Sequence, residues 1–282
     1  MVPSGFDDFC SLVPDQNVIN WADSTCGAAG SGSAMGTAGR RDDVTVTLPW
    51  MREGTAFLLA AVDRLDDGQL AEPSGLPGWS RAHVVGHLAR NAEALGRLVA
   101  WARTGVETPM YASRSERAAE IEVSATLPAD RLRDDLVRTA AELDEALDAL
   151  DDAGRRARVR SALGRDMPAS DIPWMRIREV WLHAVDLAAG AVVADLPVGV
   201  VDLLLDDASG FLSGRDGCPA VTLEPTDRDR RWVLGPDDAV PVVVTGSATD
   251  VLGWLVGRAD GSLLTVRRPG ADVALPKLPT WL

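Results

Sequence analysis

The 282-residue chain carries 42 acidic and 28 basic side chains, giving a formal charge of -14 and a pI of about 4.6. With 46% hydrophobic and 25% charged residues it holds enough apolar material for a core, which excludes global disorder. So negative a surface repels phosphate backbones and anionic headgroups, and no apolar run approaches the roughly 18 residues of a membrane span. Nucleic acid and membrane therefore drop out as partners, and a soluble protein is expected.

Residues 1–44 stand apart in composition. The stretch Cys26-Gly27-Ala28-Ala29-Gly30-Ser31-Gly32-Ser33-Ala34 has neither helical nor strand periodicity and reads as a flexible leader. Asp7 and Asp8, with no apolar stretch around them, argue against a secretory signal. From about Leu48 the period turns helical: Phe57, Leu58, Ala61, Val62 and Leu65 recur at three and four, predicting a helix that ends near Gly68. A loop rich in proline and glycine leads to Ser80, the N-cap of a second helix over Arg81 to Arg103 that Gly105 ends. Leu132, Leu136, Leu143, Leu147 and Leu150 predict a third helix over Ala129 to Leu150. A fourth starts after Ser170 or Asp171, accepts Pro173 in its first turn and runs to about Ala189.

Four helices of this length bury one another's apolar stripes as a bundle. After Gly190 the pattern changes to a helix at Val198 to Leu212, β-branched runs at Ala220–Leu223 and Val240–Thr245, a helix around Thr249–Val256 and a strand at Leu263–Val266. The predicted fold is mainly α with a smaller α/β unit, divided into a leader over 1–44, a four-helix bundle over 45–192 and an α/β domain over 193–282. Lys277 is the only lysine, which reflects GC-rich coding. Cys10, Cys26 and Cys218 are odd in number and widely spaced, against a disulfide framework or a thiolate zinc site, and a reducing cytoplasm fits.

The three histidines all lie on the second and fourth helices. His83 and His87 are four residues apart, as are Glu179 and His183, so each pair occupies one side of its helix. If those sides face inward, imidazoles and a carboxylate converge in the bundle core. Nitrogen and carboxylate donors suit zinc, and three of them leave an open position for catalysis. A second reading stays open. The segment around Glu179 is too apolar to be a solvated face, and a buried carboxylate needs compensation, which Arg176 or Arg178 supplies without any metal. His83, one turn before His87, is either a fourth ligand that closes the site or a solvent-facing imidazole.

The segments Leu76-Pro77-Gly78-Trp79-Ser80-Arg81-Ala82-His83-Val84-Val85-Gly86-His87-Leu88 and Trp174 to Leu187, with Thr108-Pro109-Met110-Tyr111, resemble the mycothiol-dependent maleylpyruvate isomerases. The resemblance runs from about Leu48 to Leu282. It implies a DinB-like four-helix bundle followed by a domain similar to sterol-carrier folds. It also implies that His87, Glu179 and His183 hold Zn2+ with water or a thiolate in the open position, that His83 is not a ligand, and that Arg258 is catalytic. Read locally, Arg258 is a cation near a helix C-terminus.

The chemistry points the same way. Isomerising a cis double bond conjugated to carbonyls by reversible addition needs a soft nucleophile, rotation and elimination, and Leu48 to Gly190 contains no cysteine. The thiol must arrive as a cosubstrate, mycothiol by resemblance, and zinc would hold it as the anion. Maleylpyruvate is a dianion, so a local cation is needed against the net charge: Arg258, with Arg176 or Arg178 as weaker candidates. Tyr111, the only tyrosine, either lines the pocket or caps the bundle. Asn91 orients a ligand or makes an ordinary interhelical bond, and Asp186 is a partner of His183 or a surface charge. The expected function is conversion of maleylpyruvate to fumarylpyruvate in aromatic catabolism, by a cytoplasmic protein expected to be a monomer, with a dimer left open. An S-transferase using the same thiol and a non-catalytic metal or ligand sensor are the alternatives.

Overall fold

The computed structural model describes residues 41–268 and 273–281. The proposed leader up to Arg40, with Cys10 and Cys26, and the terminal Leu282 lie outside the described residues. Residues 41–43 already belong to the folded body: Arg41 pairs with Asp207 at 2.9 Å, and Asp43 caps the first helix by accepting from the Thr45 amide at 3.0 Å.

Helix α1 spans Val44–Asp63. It stops short of the expected Gly68 because Asp66 begins a new turn, α2 (Asp67–Leu70), in a reciprocal cap with Gln69. Helix α3, Arg81–Thr104, starts on the Ser80 cap and stops where Gly105 takes φ 72°, as expected. Helix α4, Arg114–Ala125, has no counterpart in the periodicity. Only Ile121 and Ser124 are buried along it, so it shows no apolar stripe. Helix α5, Ala129–Asp148, buries Leu132, Leu136, Leu143 and Leu147. A short helix α6 (Asp152–Arg156) and the hairpin of β1 (Arg158–Arg160) and β2 (Asp166–Pro168) lead to α7, Ile172–Asp186.

In the bundle α3 packs along α5 and α4, α1 packs along α7, and α3 meets α7 across the centre. Burial all round α7 follows from this position, and Arg176, Arg178 and Glu179 go inside with the apolar residues. Gly54 lets α1 approach α7: a Cβ there would lie 2.5 Å from Trp181 Nε1 and 2.6 Å from Val180 Cγ2. Gly86 does the same between α3 and α4, where a Cβ would meet Ser124 Cβ at 2.7 Å.

Beyond α7, helix α8 (Val198–Ser213) and helix α9 (Ala248–Leu255) lie with a four-stranded sheet of order β4-β3-β5-β6. The strands are β3 (Val221–Pro225), β4 (Trp232–Leu234), β5 (Val242–Gly246) and β6 (Thr265–Arg267). The β3/β5 pair is parallel and the outer pairs are antiparallel. Strand β4 escaped the sequence reading because three residues show no alternation. The mixed-charge segment before it ties the sheet to its helices: Arg228 bonds Asp202 at 2.7 Å, and Asp227 accepts from the Ala248 amide at 2.8 Å. The architecture is thus mainly α, a four-helix bundle followed by a smaller α/β unit. No helix among the described residues is long and apolar enough to cross a membrane.

Candidate metal centre

Where α3 crosses α7, His87, Glu179 and His183 bring one donor atom each within 4.8 Å of one another, the His87 and Glu179 side chains fully buried. Glu179 Oε2 lies 2.9 Å from His87 Nε2 and 3.3 Å from His183 Nε2. The imidazoles meet edge to face at 4.9 Å, and Trp79 packs 5.5 Å from the His87 ring. Arg176 and Arg178 hydrogen-bond other groups. Arg176 donates to Leu88 O and Asn91 Oδ1, both at 2.8 Å, and Arg178 pairs with Asp207 at 3.1 Å. Glu179 takes its hydrogen bonds from the two histidines, so of the two sequence readings the geometry favours the donor trio over an arginine-neutralised core.

The donor set fits a zinc ion. It offers two neutral-capable nitrogens and one oxygen, buried, with fewer than the four protein ligands of a closed structural site. A hydrogen bond on the other ring nitrogen decides which nitrogen of His183 is available: Nδ1 meets Asp186 Oδ2 at 2.9 Å, leaving Nε2 for the centre. Asp186 is in turn gripped by Arg258, with Nε and Nη2 donating at 3.0 and 2.8 Å, while Arg258 Nη1 donates to Val256 O at 2.7 Å. Arg258 therefore reaches the centre through Asp186 and His183 and does not line the cavity. His83 is absorbed elsewhere: its Nδ1 takes the Ser80 amide at 3.2 Å in the cap of α3, and its Nε2 faces Glu122 at 3.3 Å.

Titration in the metal-free site follows from these contacts. Burial alone disfavours charge on His183, but Asp186 and Glu179 outweigh it and lift its pKa to about 9. For His87 burial wins over Glu179, lowering it to about 4. Burial would raise Glu179, yet the hydrogen bonds from His183 and His87 hold it well below the usual carboxylate range. Asp186 falls to about 2 because His183 and Arg258 overcome its burial.

His87 and Glu179 of the trio open on a cavity of about 320 Å³, the scale of small-ligand sites. His87, Glu179, Asn91, Tyr111 and Met175 line it. Asn91 Oδ1 is occupied by Arg176, and Tyr111 sits between two guanidinium groups, Arg97 and Arg117, each 5.8 Å from its ring. Burial raises the Tyr111 phenol above its ordinary value. Arg117, on α4, also lines the cavity and was missed by the sequence reading. Its helix did announce itself: Ser113-x-x-Glu116 is a capping signature, and the Ser113 hydroxyl accepts from the Glu116 amide at 3.0 Å.

A four-helix bundle with a candidate three-donor metal site beside a cavity, joined to an α/β unit, defines the class of fold. The mycothiol maleylpyruvate isomerase N-terminal domain matches residues 51–188 and the C-terminal domain of the same family matches residues 195–279. The chain belongs to the mycothiol-dependent maleylpyruvate isomerase family. A crystal structure of the mycothiol-dependent maleylpyruvate isomerase superposes with a TM-score of 0.78 at 34% identity, covering 84% of this chain and 97% of that one. A histidine-to-alanine mutant of that isomerase matches with a TM-score of 0.78 at 33% identity over the same shares. Two uncharacterized proteins of Mycobacterium tuberculosis, MT0041 and Rv0036c, are each 30% identical over 244 residues, 79% of this chain and 89% of theirs.

Proposed function

We propose that this protein is a zinc- and mycothiol-dependent isomerase that converts maleylpyruvate to fumarylpyruvate, with His87, Glu179 and His183 as the zinc ligands. The observation that carries the reading is the convergence of His87, Glu179 and His183 at a cavity that His87 and Glu179 line, in a chain of this family. His87, Glu179 and His183 would hold a zinc ion that would keep the incoming thiol as its anion, the nucleophile whose reversible addition would make the cis double bond a single bond, free to rotate before elimination.

The chain's own residues do the rest. Glu179 is kept ionised by its histidine neighbours, so it is ready to ligate without losing a proton at neutral pH. Asp186 holds the His183 ring with Nε2 toward the centre, and Arg258 holds Asp186, which makes Arg258 a positioning residue supplied by the C-terminal domain, 193–282, to the bundle domain, 45–192. Tyr111 and Asn91 line the space where thiol and substrate meet, with Met175 as an apolar wall. The setting is aromatic catabolism in the cytoplasm.

Incubating the protein with maleylpyruvate and mycothiol tests this. Fumarylpyruvate should form with free thiol regenerated, roughly one zinc should copurify per chain, and His87→Ala or His183→Ala should lose both metal and turnover. Stoichiometric consumption of the thiol would instead identify an S-transferase, and zinc binding without turnover of either kind a sensor.

A further inference from the structure

We propose that Arg117 is the carboxylate clamp of this cavity, receiving one carboxylate of a dianionic substrate beside the metal centre. The inference rests on the isomerase reading for the identity of that dianion. A protein of charge -14 that takes up a dianion needs a cation where the dianion sits. Five arginines lie at or near the centre: Arg114, Arg117, Arg176, Arg178 and Arg258. Arg258 is held by Asp186 and Val256 O, Arg178 is paired with Asp207, and Arg176 is bonded to Leu88 O and Asn91 and does not line the cavity. Arg114, Arg117 and Arg178 all line the cavity, but Arg114 is exposed and Arg178 bonds Asp207, whereas Arg117 is half-buried. Among the described residues no carboxylate pairs with it, its neighbours being the Tyr111 ring and His87 Nδ1, 3.4 Å from its Nη2.

The contact with His87 is one that metal loading undoes. His87 Nδ1 accepts from a guanidinium only while it carries no proton. An imidazole whose Nε2 lone pair goes to a metal carries its proton on Nδ1, so donor would face donor and Arg117 is released to the cavity. Tyr111 then keeps the guanidinium in place through its ring face while leaving the planar fork of N–H groups for a carboxylate. Asn91 completes the set: Arg176 takes its Oδ1, and its amide nitrogen, without a partner among the described residues, lies on the cavity wall.

The test uses the zinc-loaded full chain, with maleate as a stable dicarboxylate probe in calorimetry and maleylpyruvate in kinetics. Arg117→Gln should weaken maleate roughly ten- to hundredfold and raise the KM for maleylpyruvate in step. Zinc content and the KM for mycothiol should hold, and Arg117→Lys should restore part of the loss. Added salt should weaken maleate in the wild type more than in Arg117→Gln. The clamp is overturned by wild-type protein that does not bind maleate, by Arg117→Gln binding it within twofold of wild type, or by a variant that loses zinc and thiol affinity equally. The two proposals fail separately. Maleate held through Arg117 in a protein that does not isomerise maleylpyruvate keeps the clamp and removes the reaction, whereas turnover with an unchanged KM in Arg117→Gln does the reverse.

Discussion

His183, Asp186 and Arg258 form a relay from the C-terminal unit into the centre. Removing the charge of Asp186 leaves Arg258 buried against a neutral amide and frees the His183 ring. Asp186→Asn should therefore lower zinc affinity about 10- to 100-fold, read by competition with a chromogenic chelator. Arg258→Met should act in the same direction through the same route, leaving maleate binding nearly intact, which a clamp at Arg258 forbids. The two imidazoles also set a pH profile for metal-free protein. The pKa of His183 rises from 6.5 to about 9 on folding, so its contribution is full below pH 6.5 and lost as pH rises toward 9. That of His87 falls to about 4, so its contribution is present above pH 6.5 and lost as pH falls toward 4. Urea midpoints of chelated protein should peak near pH 6.5 and decline on both sides. A profile rising steadily from pH 5 to 9 would contradict the arrangement.

At the scale of elements, α7 is positioned by how closely α1 can approach it and by how it stops. Gly54→Ala puts a methyl group into the Trp181 ring edge and Val180, and should destabilise by about 1–3 kcal/mol in urea unfolding. Helix α7 ends without the usual glycine: Ala188 takes φ 49°, a left-handed conformation that costs a non-glycine residue roughly 1–2 kcal/mol. Ala188→Gly should raise stability by about 1 kcal/mol without touching the centre. The helices carrying the trio were legible because Ser80, Gly105 and Pro173 mark ends with local chemistry and the leucine and valine periods mark faces. Helix α4 was marked only by its Ser113 cap, because its stripe is two buried residues on a polar cylinder, and Gly86 of α3 lets it pack close.

Over the whole molecule, a buried acid joins the two units. Asp207 of α8 takes Arg178 of α7 at 3.1 Å and Arg41 at 2.9 Å, its side chain almost wholly inaccessible. Asp207→Ala would remove the carboxylate that bonds the buried Arg178 guanidinium and should destabilise by about 3–5 kcal/mol. Because the pair straddles bundle and α/β unit, fluorescence and circular dichroism should then report separate unfolding transitions where the wild type shows one. Arg258 crosses the same boundary, so loosening it should lower zinc affinity as well.

The amino-acid sequence by itself determined the helical periods, the caps of α3, the pairing of His87 with α3 and of Glu179 with His183 on one side of α7, and the absence of a cysteine from the bundle. All of these are properties of neighbours within one or two turns, where backbone geometry sets side-chain direction. Only the tertiary structure decided that those two sides meet, that Arg176 bonds Asn91 and Arg178 bonds Asp207, that Arg258 serves Asp186, and that Arg117 stands at the cavity. Which cation faces which anion depends on how elements far apart in the chain pack, and spacing along a helix carries no information about what lies across from it.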